Sequence, residues 1–234
     1  MGNLNLTLPI KYFIRFLFIL NTENRVFVGP SVKNMSQPIA FSPNCNHNVG
    51  CILNLIGHAL GISYTHSRPD RNNYIKIIYE DIGQMDRYIF QKMPNQNDLT
   101  CGISYDYGSL MHEKKMCRKH HNEKIFETKL SPYYIYMLGQ RYALIFNDVK
   151  LLNCYYCSNI CKNKKLKCYS NGYGSPNNCN EFRCPNSYSG RTCKEVPKIS
   201  KNCGKIKSAV SRKSKTIKRK GKKTCTYHIG AKQK

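Results

Sequence analysis

Between Cys45 and Ile62 the chain is almost uninterruptedly apolar, with Asn54 and His58 the polar exceptions once its first residues are passed. An apolar stretch of that length with no polar face predicts a helix buried on most of its sides. A stop is written behind it. Gly61 can take the left-handed conformation that ends a helix, and Ser67-Arg68-Pro69-Asp70-Arg71 follows as a polar exit in which Pro69 prevents continuation. A helix buried this way needs other elements packed around it. With 234 residues, 41% of them hydrophobic, the chain has enough apolar material for one medium domain and one or two small modules. Taken alone, His58 suits a buried imidazole bonded to a backbone carbonyl better than it suits a metal ligand.

The same stretch can be laid on the HExxHxxGxxH frame of the metzincin zinc peptidases, in which two histidines on one helix face and a third after the glycine hold the metal. His58 and Gly61 fall at the second histidine and the glycine. Asn54 stands for the first histidine, Leu55 for the glutamate and Tyr64 for the third histidine. The tail Ser67 to Arg71, SRPDR, is specific to the astacin family. Downstream, Ser104 to His112 (SYDYGSLMH) matches that family's Met-turn SYDYGSxMHY, with Glu113 in place of the final tyrosine. Leu138-Gly139-Gln140-Arg141 and then Ile145 to Cys157 resemble its closing helix. Several independent motifs over about a hundred residues thus resemble an astacin.

The resemblance implies an α+β fold with three parts. Residues 8–157 would form an astacin-like peptidase domain, residues 158–196 a small disulfide-rich EGF-like module, and residues 197–234 a basic tail similar to the start of a CUB domain. The first strand is expected at Pro9 to Ile14 (PIKYFI), and Gln37 to Cys45 resembles the strand and SPNC turn that lead into the zinc helix. The family's first long helix and the strand after it are missing, so the N-terminal subdomain is shortened. With them goes the partner of Cys157, and Cys45 has no obvious partner either. New sheet edges and apolar faces are expected.

In the family the motif holds a catalytic zinc, which lowers the pKa of its bound water from about 15.7 to about 7 through three protein ligands. Here one ligand histidine, His58, is left as a relic. Asn54 offers a neutral amide oxygen, and Tyr64 a phenol that must ionise near pKa ~10 before it competes for metal. Leu55 cannot act as general base, whose loss typically costs about 10²- to 10⁴-fold. Glu113 sets a negative charge where the family's tyrosine stabilises a developing oxyanion. Met111, by contrast, forms an apolar floor under the zinc in the family, a packing role that outlives the metal, and Gly61 is likewise structural. Zinc is therefore expected to be lost or weakly bound and proteolysis absent. One substitute set remains open: Cys51 and His58 on one helix face with Glu113, around Tyr64. Restoring histidine at 54 and 64 and glutamate at 55 is expected to revive cleavage on an intact scaffold.

The chain has thirteen cysteines, most of them after residue 150, which predicts an oxidising compartment and leaves at least one outside an intrachain pair. Cys161, Cys168, Cys179, Cys184 and Cys193, continuing from Cys157, resemble the EGF-like spacing, and Phe182 occupies the place of the fourth cysteine. In the usual pairing of such modules Cys168 then lacks its partner and could turn to Cys154 or another extra cysteine. Cys203 and Cys225 resemble the first disulfide of a CUB domain. Cys51, Cys101 and Cys117 read as replacement disulfide residues, and Cys154, Cys157 and Cys161 could alternatively hold a structural zinc.

The net charge of +25 is concentrated at the end, where residues 194–234 carry fifteen Lys or Arg against the single acid Glu195. Such a tail would adhere to polyanions, though the lysine-rich composition of the whole chain explains part of it. No specific nucleic-acid recognition is expected. No apolar run approaches the ~18 residues of a spanning helix, since Phe13 to Leu20 is interrupted by Arg15, and no signal-peptide cleavage site follows it. The chain is expected to begin inside the mature domain. Secretion is implied by the resemblance and the cysteines, and the partners implied are extracellular proteins or peptides. The readings left are a non-cleaving binding module, a working zinc endopeptidase with substitute ligands, and a polyanion binder.

Overall fold

A computed structural model describes residues 14–30, 35–94, 100–114, 124–162 and 167–197, with positions 203, 207–209, 216, 218, 225 and 227–230 beyond them. Two compact units divide the chain, Met1–Lys162 and Asn163–Lys234.

The first unit opens with a three-stranded sheet in the order β1-β3-β2, made of β1 (Phe16–Leu20), β2 (Arg25–Val26) and β3 (Gln37–Phe41). The central strand runs parallel to β1, Phe16 opposite Gln37 through Leu20 opposite Phe41, and antiparallel to the short β2. Pro38 lacks an N–H, and it falls outside the β2 ladder, which uses only Ile39 and Ala40. Gln37 and Ile39 alternate inward and are buried. The expected strand at Pro9 to Ile14 falls almost wholly outside the described residues, and the described strand starts at Phe16. Among the described residues β1 is an edge strand, and an apolar one. Leu17, Phe18, Ile19 and Leu20 are each at least 41% exposed, and Phe27 and Val28 are exposed as well.

The apolar stretch after this sheet is interrupted where a continuous helix was expected. α1 (Pro43–Asn46) and α2 (Val49–Ala59) are separate, because the Asn48 side chain accepts a hydrogen bond from the Cys51 amide at 3.0 Å and so caps a new helix. That break brings Cys45 and Cys51 together in a disulfide with Cα atoms 5.4 Å apart. Cys45 therefore has a partner, and the absence of one expected from the sequence is corrected.

The buried face of α2 includes Gly50, Asn54 and Gly57, one turn apart. A Cβ at Gly50 would overlap the Arg141 carbonyl, and one at Gly57 would lie 2.7 Å from Met111 Sδ. The helix thus rests directly on backbone and on the Met-turn. Gly50→Ala is expected to cost about 2–3 kcal/mol, because the obstacle is backbone and cannot rotate away. A fall in the urea midpoint checks it, and an unchanged midpoint would mean the contact is looser than described.

The rest of the unit is short elements around two apolar clusters. β4 (Ile75–Ile77) pairs antiparallel with β5 (Phe126–Thr128), and Ile75, Phe90, Tyr105, Tyr107 and Phe126 are buried between them and neighbouring turns. The closing helix α3 (Phe146–Cys157) starts and ends where the sequence implied. Its Leu152 packs with Leu60, Ile62 and Met111, and Tyr156 Oη donates to the Leu60 carbonyl at 2.9 Å, fastening α3 to the end of α2. Cys154 on α3 forms a disulfide with Cys101, while Cys157 keeps a buried thiol. No helix among the described residues is long and apolar enough to cross a membrane.

In the second unit β6 (Tyr173–Ser175) and β7 (Asn178–Arg183) form an antiparallel hairpin, followed by the Cys184–Cys193 disulfide. Gly172 is needed beside it, since a Cβ there would sit 2.6 Å from the sulfurs of both Cys168 and Cys193. Cys161 and Cys179 are disulfide-bonded. Cys168 keeps its thiol, which donates to the Tyr169 carbonyl at 3.4 Å, so pairing with Cys154 is excluded. Further on, Cys203 and Cys225 form a disulfide, and β8 (Lys207–Ala209) pairs in parallel with β9 (His228–Gly230). Most of the basic tail, Cys117 and the histidines of the lysine-rich loop lie outside the described residues.

Candidate functional site

The end of α2 sets the geometry. The Ile62 amide donates to the Gly57 carbonyl at 2.9 Å and the Gly61 amide to the His58 carbonyl at 2.8 Å, with Gly61 at φ +91°. This pair of bonds closes the helix through a left-handed glycine, as its sequence predicts. The reversed chain then presents the Ile62 carbonyl to His58 Nδ1 at 2.8 Å. A carbonyl can only accept, so Nδ1 carries the proton and Nε2 is left as a bare lone pair. Nε2 is buried and has no hydrogen-bond partner among the described residues. Burial pulls the His58 pKa down to about 4, against the opposing pull of the Ile62 bond and the Glu113 carboxylate. His58 is neutral at pH 7.

The other frame positions do not join it. Asn54 is buried and turns its amide nitrogen to the Leu110 carbonyl at 3.0 Å, with Met111 Sδ at 3.7 Å. Leu55 packs away from them, in the apolar cluster of Ile39, Cys45 and Ala59. Tyr64 sets its ring edge-on to His58, centroids 4.4 Å apart, and also lies against His66, at 4.9 Å. Glu113 is buried, and its Oε1 accepts from the Lys114 amide at 3.1 Å. The substitute set built on Cys51 fails, because that sulfur is in the disulfide with Cys45. A zinc cluster of Cys154, Cys157 and Cys161 fails for the same reason, since the first and last are oxidised.

Two histidines that the motif frame does not recruit complete the centre. His66 and His112 are fully buried, their rings 5.7 Å apart, with Phe90 and Phe126 against them. Each has a partner for both nitrogens. His66 Nε2 donates to the Ile89 carbonyl at 3.0 Å and Nδ1 accepts from the Glu113 amide at 3.4 Å. His112 Nδ1 donates to the Glu113 carbonyl at 2.9 Å and Nε2 accepts from Tyr105 Oη at 2.7 Å. Desolvation lowers both pKa values to about 3. The only sequence signal for His66 was its place in the turn Thr65–Ser67, which the Met-turn tethers by a bond from the Thr65 amide to the Met111 carbonyl at 3.1 Å.

The Met-turn itself is held from α3. Asp148 accepts from Ser109 Oγ at 2.6 Å and from the amides of Leu110 and Ile145 at 3.0 and 3.1 Å. Burial raises its pKa, and these donors oppose the shift. Arg141 donates to the carbonyls of Leu110 and His112 at 3.2 and 3.1 Å. The SRPDR tail is equally structural. Arg68 forms a two-point bond to Asp70 at 2.8 and 2.7 Å, and buried Arg71 donates to the carbonyls of His66 and Phe90.

These residues do not fit a catalytic zinc. One imidazole lone pair is available, the neighbouring amide is turned inward, the general-base position is in the core, and among the described residues no three His, Cys, Asp or Glu are grouped to hold a metal ion. The scaffold around them is nevertheless that of a known family. The family model described as Astacin, a family of peptidases, matches residues 22–157. The zinc metalloproteinase dpy-31 of Haemonchus contortus is 33% identical over 178 residues, which cover 76% of this chain and 32% of that protein. The zinc metalloproteinase nas-34 of Caenorhabditis elegans is 32% identical over 200 residues, 86% of this chain and 33% of that protein. The chain thus spans about a third of the length of the curated relatives it matches. In fold it is similar to high choriolytic enzyme 1, a hatching enzyme zinc-protease from Oryzias latipes, with a TM-score of 0.52 at 21% identity over 62% of this chain and 71% of that one. With the family match extending over more than half of its length, the chain belongs to the astacin family of peptidases and has that family's mixed helix-and-strand fold.

Proposed function

We propose that this chain is a non-catalytic astacin homologue that holds extracellular proteins or peptides without cutting them. The observation that carries the reading is the state of the centre. His58 keeps a single free lone pair while Asn54 is bonded to Leu110 and Leu55 is packed against Ile39. Without a polarised water, a general base or a neutral oxyanion donor, the three contributions that act on peptide hydrolysis are all missing. What is left is recognition. The cavity beside Tyr64, lined also by Ile62, Arg68, Asp106, Asn147 and Leu151, has a volume of about 50 Å³, room for a few waters and not for a large side chain. Binding therefore falls to the surface, including an EGF-like module over residues 158–196 and the tail that resembles a CUB start. Secretion goes with this reading, because the disulfides of both units need an oxidising compartment.

The experiment is incubation of the folded chain with a denatured protein substrate, with and without chelator, at enzyme concentrations that would reveal activity about 10⁴-fold below an ordinary peptidase. No chelator-sensitive product is expected. Chelator-sensitive cleavage would restore the rival reading, a working zinc endopeptidase with ligands drawn from elsewhere.

A second reading rests on charge. The fifteen Lys or Arg of residues 194–234 would bind a polyanion such as a sulfated glycan, with retention on heparin falling steeply as salt rises. Retention that ignores salt would sink it.

A further inference from the structure

We propose that Asn54 is a positioning residue which, in place of a metal-centred arrangement, cross-links α2 to the Met-turn, so that this region keeps its geometry without any ion. This role rests on the zinc-free reading above and adds what replaced the ion. Three positions on one face of α2 meet the layer beneath. Gly50 lies against the Arg141 carbonyl and Gly57 against Met111 Sδ, both too close for a Cβ. Asn54, between them, is the only one of the three with a polar side chain. Its amide reaches the Leu110 carbonyl at 3.0 Å and has Met111 Sδ at 3.7 Å. A buried amide in contact with this turn would be costly without a partner.

The acceptor is shared. Arg141 Nη1 also donates to the Leu110 carbonyl, at 3.2 Å, so one oxygen takes a donor from α2 and another from the segment before α3. Below it Asp148 holds the Leu110 amide and Ser109 holds the Met111 amide at 3.0 Å. Leu110 is thus held at both its N–H and its C=O by side chains from three different segments. These bonds form a hydrogen-bonded cradle that needs no ion to complete it.

Two kinds of measurement test this on the full chain. The first is amide hydrogen exchange at Thr65, Leu110 and Met111 in the wild type, Asn54→Leu, Arg141→Lys and the double variant. Asn54→Leu keeps the volume and loses the donor, and it is expected to speed exchange at these amides on the order of ten-fold, the effect of one buried hydrogen bond. Because both donors share one acceptor, the double variant is expected to exceed the product of the two single effects. Asn54→Asp, which keeps the shape and loses both amide hydrogens, takes the place of Asn54→Leu if the latter does not fold. The second measurement is the thermal midpoint of the wild type with chelator and with added zinc, expected to be the same in both. Unchanged exchange in the Asn54 variants, with a midpoint indifferent to chelator, would overturn the cross-link and leave the zinc-free reading standing. A midpoint that falls on chelation would overturn the zinc-free reading itself.

Discussion

Lowering the pH from 7 to 5 is expected to remove about 5 kcal/mol of stability, enough to unfold the peptidase-like domain of a protein of ordinary stability. The origin is the three buried imidazoles. His58 has a folded pKa of about 4 and His66 and His112 of about 3, each pulled down chiefly by burial from an unfolded value near 6.5. Between those limits the unfolded chain binds protons that the folded chain refuses. Stability is therefore intact above pH ~6.5 and falls as pH drops through it, by about 1.4 kcal/mol per pH unit for each histidine, until the folded values are reached. Between pH 7 and 5 each contributes a little under ~2 kcal/mol of loss, and the three together make up the total. Urea midpoints taken at half-unit pH steps give the proton uptake on unfolding directly from their slope. About three protons are expected near pH 5, and about two in His66→Phe. A midpoint flat from pH 7 to 5 would show that these rings are solvated.

Leu55→Glu, which puts back the residue the peptidase motif calls for, is expected to cost about 4 kcal/mol at pH 7 and to confer no cleavage. In the family frame this side chain serves the metal-bound water. Here it is 5% exposed and sits among Ile39, Cys45 and Ala59, with Phe41, Cys51 and Ile52 around them. None of these side chains offers a hydrogen bond to a carboxylate. The glutamate must therefore either stay protonated, with its pKa raised by several units, or push the sheet off the helix. Leu55→Met is the control and should cost under ~1.5 kcal/mol, since it keeps volume and polarity. Equal midpoints for the two variants would mean that position 55 faces water, and that the cleft is open where the structure has it packed. The same burial bears on the expectation that histidines at 54 and 64 with glutamate at 55 would revive cleavage. The scaffold has closed over the position where the base would act.

What the sequence made legible is tied to residues whose role is local. Gly61 had to be left-handed to end an apolar helix before SRPDR, and it is, at φ +91°. The closing helix, expected over Ile145 to Cys157 from its resemblance to the family's segment, forms over Phe146–Cys157, and Asp148 at its start lies within the segment itself. The identity of the family followed from motifs that are likewise continuous in the chain. The pairings were not legible. Cys45 with Cys51 depends on Asn48 capping a second helix, and Cys101 with Cys154 on two segments far apart in sequence arriving with Cα atoms 6.4 Å apart. Nor could the motif frame show that Asn54 would turn inward. The frame assigns a position, and the acceptor at Leu110 comes from a turn distant in sequence. His66, two residues past the third-ligand position where the family resemblance allows any residue, is not recruited as a ligand by the sequence, and its burial is decided by Phe90 and Phe126.

Metal content tests most directly whether this astacin homologue keeps the scaffold and not the metal. The full chain, shown to be folded by a cooperative thermal transition, is equilibrated with excess zinc, desalted, and assayed for zinc per chain. Substoichiometric zinc that washes out is the predicted result, because one free imidazole lone pair at His58 cannot hold the ion alone. One zinc per chain, retained through desalting and absent from His58→Ala, would contradict it and place a working metal centre where the structure has an amide and a leucine.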